Sequence, residues 1–207
     1  MMMEGLGASE RDSGLGSEQE LQRRVALATP SDTIRGLSFH TLLDAVRLDL
    51  GDAALKRCLD SSVEKSFKSF YAYPVQDYLR LLYCAAGMLS DKHGGFDNAV
   101  RRISSGIAPS FLGSVVGRAF MLLTQQGPKH LISQMPVAFR AAANFGEISV
   151  QWTGPRSGVL HTRHDFLLPM NHEGGLLGMF RTLGLRGPRA RGRLVGPLDN
   201  EVEFSWE

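Results

Sequence analysis

Apolar and polar residues alternate in the last third of the chain, and this alternation predicts a β-hairpin. Ile148, Val150 and Trp152 recur at every second position between polar neighbours. Successive side chains of a strand point to opposite faces, so the spacing predicts one buried and one solvent-facing side. Residues 154–158 then supply the glycine and proline of a tight turn.

The second strand of the hairpin carries polar residues on its apolar side. Leu160 and Phe166 share one parity along the chain. Thr162 and His164 share it too, which places both of them beneath the sheet and directs Asp165 towards water. We therefore expect His164 to be a polar side chain enclosed by apolar ones.

A short glycine-rich helix is predicted after the hairpin. We expect the strand to end at Pro169 and residues 170–173 to form a loop. Residues 174–184 then place apolar side chains at helical spacing, with glycines that permit close approach to the sheet. Residues 191–195 are compatible with a strand, and alternation predicts a terminal strand after them. The apolar positions of that terminal strand are Val202, Phe204 and Trp206.

Helical periodicity dominates the preceding part of the chain. The predicted helices span residues 39–50, 53–59, 74–89, 96–103, 110–126 and 128–140. Pro74 is placed to open the strongest of them, and Pro136 should kink or split the last. Helices followed by strands indicate an α+β fold. We expect an N-terminal helical bundle packed on a small C-terminal antiparallel sheet, with a short helix inserted after the first hairpin.

Length and composition predict one domain with a tail. The 207 residues, 43% of them hydrophobic, suffice for one core, which we assign to residues 31–207. Residues 1–30 lack an apolar stripe and predict a flexible tail, although a capping box at residues 17–20 is compatible with a marginal helix. The net charge of +2 makes nucleic acid an unexpected partner. Without a signal segment or membrane-spanning run, we expect a cytoplasmic location.

Three segments carry a resemblance to a known superfamily. They are the aromatic-proline segment at residues 71–78, the Gly-Arg-Ala-Phe sequence at residues 117–120, and the hairpin with its glycine-rich helix. Together they resemble the superfamily uniting heme nitric-oxide-binding domains, vinyl-4-reductase-like domains and vesicle-tethering TRAPP subunits. The chain more closely resembles an uncharacterised family expanded in myxobacteria. The resemblance runs from about Asp32 onwards and implies the same α+β fold.

The resemblance implies this fold without heme. In the heme-binding branch, a histidine on the helix before the hairpin ligates iron, and a tyrosine-x-serine-x-arginine motif holds the propionates. Residues 131–140 contain no histidine, although His130 lies at their start. The motif would fall on residues 152–156, where only Arg156 is kept. No cofactor is therefore expected, and thiol chemistry of the vinyl-4-reductase-like kind is disfavoured because no cysteine follows Cys84.

The remaining titratable residues give weak indications of chemistry. His161 and His164 fall on opposite faces of a strand, so we expect no metal site formed with His172. A basic run over residues 181–193 offers contacts for phosphate, but its glycine and proline content favours a solvated loop.

No sequence pattern indicates catalysis. The chain has no nucleophile elbow, phosphate loop or paired carboxylates, so we expect a protein that is not an enzyme. Cys58 and Cys84 lie in helical apolar patterns, where a free cysteine behaves as a small hydrophobe.

Two functions remain open. The first is a non-enzymatic regulatory or sensory module that binds a small, apolar ligand between helices and sheet. Its predicted ligand-binding residues are Tyr73, Trp152, His164 and Phe166, with Arg156 at the mouth of the pocket. The alternative is a TRAPP-like, dimerising protein-interaction scaffold with a filled core. We expect a homodimer that uses an apolar helix face. If Trp152 is part of the core, Trp152→Ala should destabilise the fold by ~3–5 kcal/mol.

Overall fold

A computed structural model describes residues 14–113, 117–118 and 127–207 of the chain. Its helices are α1 (Glu18–Leu27), α2 (Gly36–Leu50), α3 (Asp52–Asp60), α4 (Val75–His93), α5 (Phe96–Ser104), α6 (Ile107–Gly113), α7 (Pro128–Ser133), α8 (Met135–Ala142) and α9 (Pro169–Thr182). Its strands are β1 (Thr33–Arg35), β2 (Ala72–Pro74), β3 (Glu147–Gly154), β4 (Ser157–Arg163), β5 (Arg189–Leu194) and β6 (Asn200–Ser205). The predicted α+β fold is confirmed.

Helix α4 lies at the centre of the helical layer. It packs against α1, α2, α3 and α5, and Leu79, Leu82 and Leu89 are fully buried on it. Pro74 ends β2 just before the helix rather than occupying its first turn. Gly94 closes the helix in the left-handed conformation with φ of 75°, which glycine adopts without steric strain.

Helix α1 forms at the predicted capping box and joins the N-terminal part of the chain to the loop after β4. Ser17 Oγ accepts a hydrogen bond from the Glu20 amide at 3.2 Å. Arg24 is buried, forms an ion pair with Glu20, and donates to the Phe166 carbonyl at 3.1 Å while reaching that of Leu167 at 3.5 Å. Of the predicted tail, residues 1–13 lie outside the described residues.

The four-stranded sheet has the order β3-β4-β6-β5 and is antiparallel throughout. Its inner face buries Leu160, Val202 and Phe204 against Leu176 and Phe180 of α9. Its outer face carries the polar alternate residues of each strand. A separate small sheet pairs β1 with β2. Helix α9, the helix predicted after the first hairpin, therefore lies between the helical layer and the sheet.

The predicted parity of the second hairpin strand holds as far as Arg163 and then fails. Thr162 is buried as expected. Strand β4 ends at Arg163, and His164 adopts a left-handed conformation with φ of 51°. The side-chain alternation ends at this residue: His164 is exposed, whereas Asp165 and the three residues after it are all buried. The prediction that His164 lies beneath the sheet and Asp165 faces water was wrong.

Helix α9 begins five residues before the predicted start. Pro169 opens the helix, where its missing amide proton and fixed φ are tolerated. The predicted loop over residues 170–173 is therefore the first turn of α9, and its side chains are buried.

The glycines of α9 approach helix α5 rather than the sheet. A Cβ atom at Gly174 would collide with the Arg101 carbonyl, and one at Gly178 would collide with the Ser105 carbonyl. Gly175 has no such neighbour within 4 Å.

Three other predictions concern segments near the sheet. Pro136 splits its helix as expected, because α7 and α8 are separate and Pro136 lies in the first turn of α8. The basic run includes part of strand β5, so its interpretation as a loop was wrong over residues 189–193, whereas the strand considered at residues 191–195 is present as far as Leu194. Helix α6 accounts for the start of the predicted 110–126 helix, whose residues 114–116 and 119–126 lie outside the described part.

Within the described residues, no helix combines the length and apolarity needed to cross a bilayer.

Candidate functional site

A cleft of about 420 Å³ opens where the turn of the β3–β4 hairpin meets the helices. Lys129 at the start of α7 forms one wall, and Arg156 in the hairpin turn forms another. Residues 184–186, which follow α9, and the C-terminal residues Trp206 and Glu207 complete it. Four segments distant in sequence therefore converge on one opening at the edge of the helix–sheet junction.

One tryptophan of the chain lines this cleft, and the other packs directly behind it. Trp206 lines it, and the Trp152 ring meets the Trp206 ring edge-on with centroids 6.1 Å apart. The Trp152 indole nitrogen donates to Ser133 Oγ at 3.2 Å, and the Lys129 ammonium group lies 4.7 Å above the Trp152 ring. Such a cation–π contact favours a fixed position for the lysine. The cleft thus has an aromatic wall with a cation next to it.

The cleft is predominantly cationic. Lys129, Arg156 and Arg186 line it together with the single carboxylate of Glu207. The Arg156 carbonyl accepts a hydrogen bond from the Trp206 amide at 3.1 Å, and the Arg186 carbonyl accepts one from the Glu207 amide at 2.8 Å. These two bonds hold residues 206–207 between the hairpin turn and the segment after α9. A surface of this composition attracts flat anions, because guanidinium groups bind carboxylates and phosphates in a bidentate manner.

A second polar cluster is buried at the start of α9. His172 Nε2 lies 2.6 Å from Asp165 Oδ2, and Asp165 Oδ1 accepts from the Leu167 amide at 2.9 Å. Asn171 donates to Ser104 Oγ at 2.8 Å and accepts from the Leu168 amide at 3.0 Å. These bonds attach α9 to the loop before it and to α5.

The neighbouring residue, Glu173, extends this cluster to strand β5. It forms an ion pair with Arg101 of α5 and accepts from the Gly192 amide at 2.6 Å. Buried polar groups are tolerated when all of them are paired, and such pairing selects one packing arrangement over others. Among the described residues, no hydroxyl or thiol hydrogen-bonds to Asp165 or His172. The cluster joins α9 to α5 and to β5.

The five predicted ligand-binding residues are divided among three places. Trp152 and Arg156 both contact Trp206 at the cleft. The Trp152 ring packs against the Trp206 ring, and the Arg156 carbonyl accepts a hydrogen bond from the Trp206 amide. Phe166 is fully buried, with the exposed His164 ring 5.7 Å from it. Tyr73 belongs to the aromatic cluster of the helical layer, and its hydroxyl accepts from the Lys68 amide.

Sequence reasoning missed Lys129 and Glu207, and it named Arg186 only as part of the basic run, because no spacing rule connects residues from separate segments. The chain's possession of only two tryptophans was an available signal for Trp206, since tryptophan combines a large apolar ring with a polar donor. For the buried cluster, the signal was Pro169, because proline commonly occupies the first position of a helix.

The residues present do not fit a heme of the kind that the superfamily resemblance would imply. The one histidine of α7 and α8 is His130, in the first turn of α7 and two residues before the fully buried Ile132. The junction between α8 and the hairpin is occupied by aromatic rings, with Phe139 lying 5.9 Å from Phe145 and 6.3 Å from His172 between centroids. Arg156 lies at the surface cleft instead of facing these rings. Within the described residues, no group of three or more potential ligand side chains could hold a metal ion.

Solved structures of H-NOX proteins share this fold. The unliganded Fe(II) H-NOX protein from K. algicida has a TM-score of 0.62 and 12% identity, over 84% of this chain and 97% of its own. An H-NOX protein from S. oneidensis in the Fe(II)NO state has a TM-score of 0.65 and 13% identity, over 84% and 99%. An oxygen-binding H-NOX domain related to soluble guanylate cyclases has a TM-score of 0.60 and 10% identity, over 84% and 95%.

These similarities confirm the predicted resemblance to heme nitric-oxide-binding domains at the level of the fold. The resemblance to the other two branches of the superfamily and the myxobacterial origin stay predictions. No curated protein matches the sequence. Residues 27–207 match DUF2378, described as a protein of unknown function. Because this match covers most of the sequence, the chain belongs to the DUF2378 family.

Proposed function

We propose that this chain is a non-enzymatic sensory or regulatory module that binds a small organic ligand, without heme, in the cleft at the helix–sheet junction. The observation that supports this function is the convergence of both tryptophans and three cationic side chains from four separate segments. The indole rings suit an apolar, preferably flat, ligand body. The surrounding cations suit an anionic group on that body.

The position of the cleft supports a sensory role. A ligand there would contact α7, the hairpin turn, the segment after α9 and the end of the sheet at the same time. Helix α9 leads from this cleft to α5, where Gly174 and Gly178 allow close backbone contact. Binding that draws the four segments together would therefore bias the packing of α9 on the helical layer.

The assignment as a non-enzyme is supported by the chemistry of the cleft. Its titratable side chains are Lys129, Arg156, Arg186 and Glu207. The histidine with a carboxylate partner, His172, is buried with Asp165 and does not line this cleft. H-NOX relatives by fold are described as binding oxygen or nitric oxide, which also favours sensing.

Fluorescence titration tests ligand binding directly, since every tryptophan of the chain reports on the cleft. The probe is 1-anilinonaphthalene-8-sulfonate, and its neutral counterpart is N-phenyl-1-naphthylamine. We expect saturable quenching of tryptophan emission by the sulfonate and at least tenfold weaker binding of the neutral compound. Arg156→Gln should weaken sulfonate binding about tenfold, because a charged hydrogen bond contributes roughly 1.5 kcal/mol.

Arg163→Gln is the matched control, because Arg163 is exposed at the opposite end of β4. Equal effects of Arg156→Gln and Arg163→Gln would refute the assignment of the cleft. Equal affinities for the charged and neutral probes would refute the prediction that the ligand carries an anionic group. A Soret band that survives purification would refute the statement that the module works without heme.

A dimerising, TRAPP-like scaffold is the second candidate function. The filled junction favours it, since Phe139, Phe145 and Phe166 occupy the space between helices and hairpin. Native mass spectrometry of protein purified from its own source separates the candidates. A mass excess matching a small organic compound supports the sensory module, whereas a homodimer without bound compound supports the scaffold.

A further inference from the structure

The fold brings the chain's two cysteines together, although they are 26 positions apart. Cys58 lies on α3 and is fully buried, and Cys84 lies on α4 and is half-buried. Their side chains are neighbours, and each affects the ionisation of the other. The sequence-based interpretation treated each as a small hydrophobe, and it had no means of detecting that the two meet.

A hydroxyl group completes this pair. Ser61 Oγ lies 2.7 Å from the Cys58 carbonyl oxygen and 3.4 Å from Cys84 Sγ. A rotation about the Ser61 side chain therefore turns its proton from the carbonyl to the sulfur. The Cys84 sulfur then accepts from Ser61 next to the Cys58 side chain, and a hydrogen bond to the charged form stabilises a thiolate.

The two cysteines consequently differ in reactivity. The hydrogen bond from Cys58 lowers the pKa of Cys84, burial opposes this effect, and Ser61 reinforces it, with a net pKa of about 6. The pKa of Cys58 is raised by the same hydrogen bond and by burial. These opposite shifts favour the thiolate at Cys84, the more accessible residue, over that at Cys58.

We propose that Cys58 and Cys84 form a thiol–disulfide couple that is oxidised by hydroperoxides. The Cys84 thiolate attacks the terminal peroxide oxygen, the O–O bond breaks, and the departing alkoxide takes a proton and leaves as an alcohol. Cys84 becomes a sulfenic acid. The Cys58 sulfur, losing its proton, then attacks the Cys84 sulfur, the S–O bond breaks, and water leaves.

The overall step converts two thiols and one hydroperoxide into one disulfide, one alcohol and one water. Two electrons pass from the sulfurs to the peroxide. The resulting disulfide joins α3 to α4 and closes the loop over residues 58–84, which includes β2. The α4 helix packs against α1, α2 and α5, so the cross-link would act on the centre of the helical layer. Neither cysteine lines the cleft, and the couple is independent of the proposed ligand.

The first test uses the full chain after reduction, exposed to hydrogen peroxide at low protein concentration. We expect intact mass spectrometry to show the loss of two hydrogens, and peptide mapping to show a Cys58–Cys84 disulfide within one chain. In Cys58→Ser, Cys84 should remain a sulfenic acid that dimedone traps. In Cys84→Ser, Cys58 should stay reduced. Disulfides between chains only, or equal oxidation of Cys58 in Cys84→Ser, would overturn the proposal.

The second test requires no cysteine variant, so it is decisive even if those variants fail to fold. The rate of Cys84 alkylation by iodoacetamide is measured against pH in the native protein. We expect a midpoint near 6, against about 8.5 for an ordinary thiol. At pH 7 the thiolate fraction is roughly 30-fold higher than at an ordinary cysteine, but lower intrinsic nucleophilicity offsets most of the gain in rate.

Ser61 is assigned as a positioning residue, and the same pH profile tests it. Ser61→Ala should move the midpoint to higher pH while leaving the limiting alkylation rate at high pH unchanged or faster. A native midpoint at the ordinary value would overturn the proposal. An unshifted midpoint in Ser61→Ala would remove Ser61 from it.

Discussion

The packing of α9 on α5 leads to a prediction in which neighbouring glycines respond in opposite directions. In an accessible helix interior, replacing glycine with alanine stabilises a protein by about 0.5–1 kcal/mol, because glycine loses more backbone entropy on folding. Gly175→Ala should show this gain, since its added methyl group meets no atom within 4 Å. It serves as the matched control for the two positions on the α5 side.

At Gly174 and Gly178 the added methyl group would meet backbone carbonyl groups, which cannot rotate away as a side chain could. Helix α5 and its following turn would have to move, and overpacking of this kind costs typically 1–3 kcal/mol. Subtracting the gain in helix propensity leaves a net destabilisation of about 0–2.5 kcal/mol for each substitution.

Urea unfolding followed by circular dichroism measures these differences, and linear extrapolation gives the free energy of unfolding. The expected order of stability is Gly175→Ala above wild type, with Gly174→Ala and Gly178→Ala below it. If all three substitutions stabilise the protein equally, the close backbone contact between α9 and α5 does not exist.

Further substitutions probe other parts of the fold. Arg24→Met should destabilise the protein by about 3–5 kcal/mol in urea unfolding, because it leaves the Glu20 carboxylate buried without its partner; a loss below about 1 kcal/mol would contradict this. Trp152→Ala should lower the free energy of unfolding by about 1.5–3 kcal/mol, which is less than for a fully buried ring because Trp152 is half-buried. A change near zero would show that Trp152 does not pack on the inner face of the sheet. Burial raises the pKa of Asp49, but hydrogen bonds from His93 and the charge of Arg102 outweigh it and lower the pKa overall. The stabilisation by Asp49 should therefore be present above pH ~4 and disappear as the pH falls through the folded-state pKa; a stability difference between wild type and Asp49→Asn that persists at pH ~2 would refute this.

The fold was largely predictable because local patterns determine its elements. The alternation around Val150 gave β3, the split at Pro136 followed from proline geometry, and the capping box at Ser17 gave α1. Parity failed at His164 because its left-handed conformation follows the end of β4, and the side chains of residues 165–168 no longer alternate. Sequence alternation assumes an unbroken strand.

The candidate site was predictable only in part. Trp152 and Arg156 share one hairpin, so strand geometry could place both near its turn. Lys129 and Arg186 join Arg156 through tertiary packing, because they lie 27 and 30 positions from it along the chain. Tyr73 was grouped with them because it is aromatic, but the fold uses its ring to fill the helical layer. Residue chemistry suggests which side chains can bind a ligand, whereas topology decides which of them meet.

The contact of Arg24 with the loop after β4 has a consequence for synthesis on the ribosome. Arg24 emerges early, but its carbonyl partner at Phe166 follows 142 residues later. At about 5–20 residues per second, roughly 7 to 30 seconds separate the two. During that interval, Glu20 is the partner available to Arg24 within α1. Helix α1 can dock on α4 as soon as that helix is made, whereas the hydrogen bond from Arg24 must wait for the loop after β4, so this bond is among the last contacts of α1 to form.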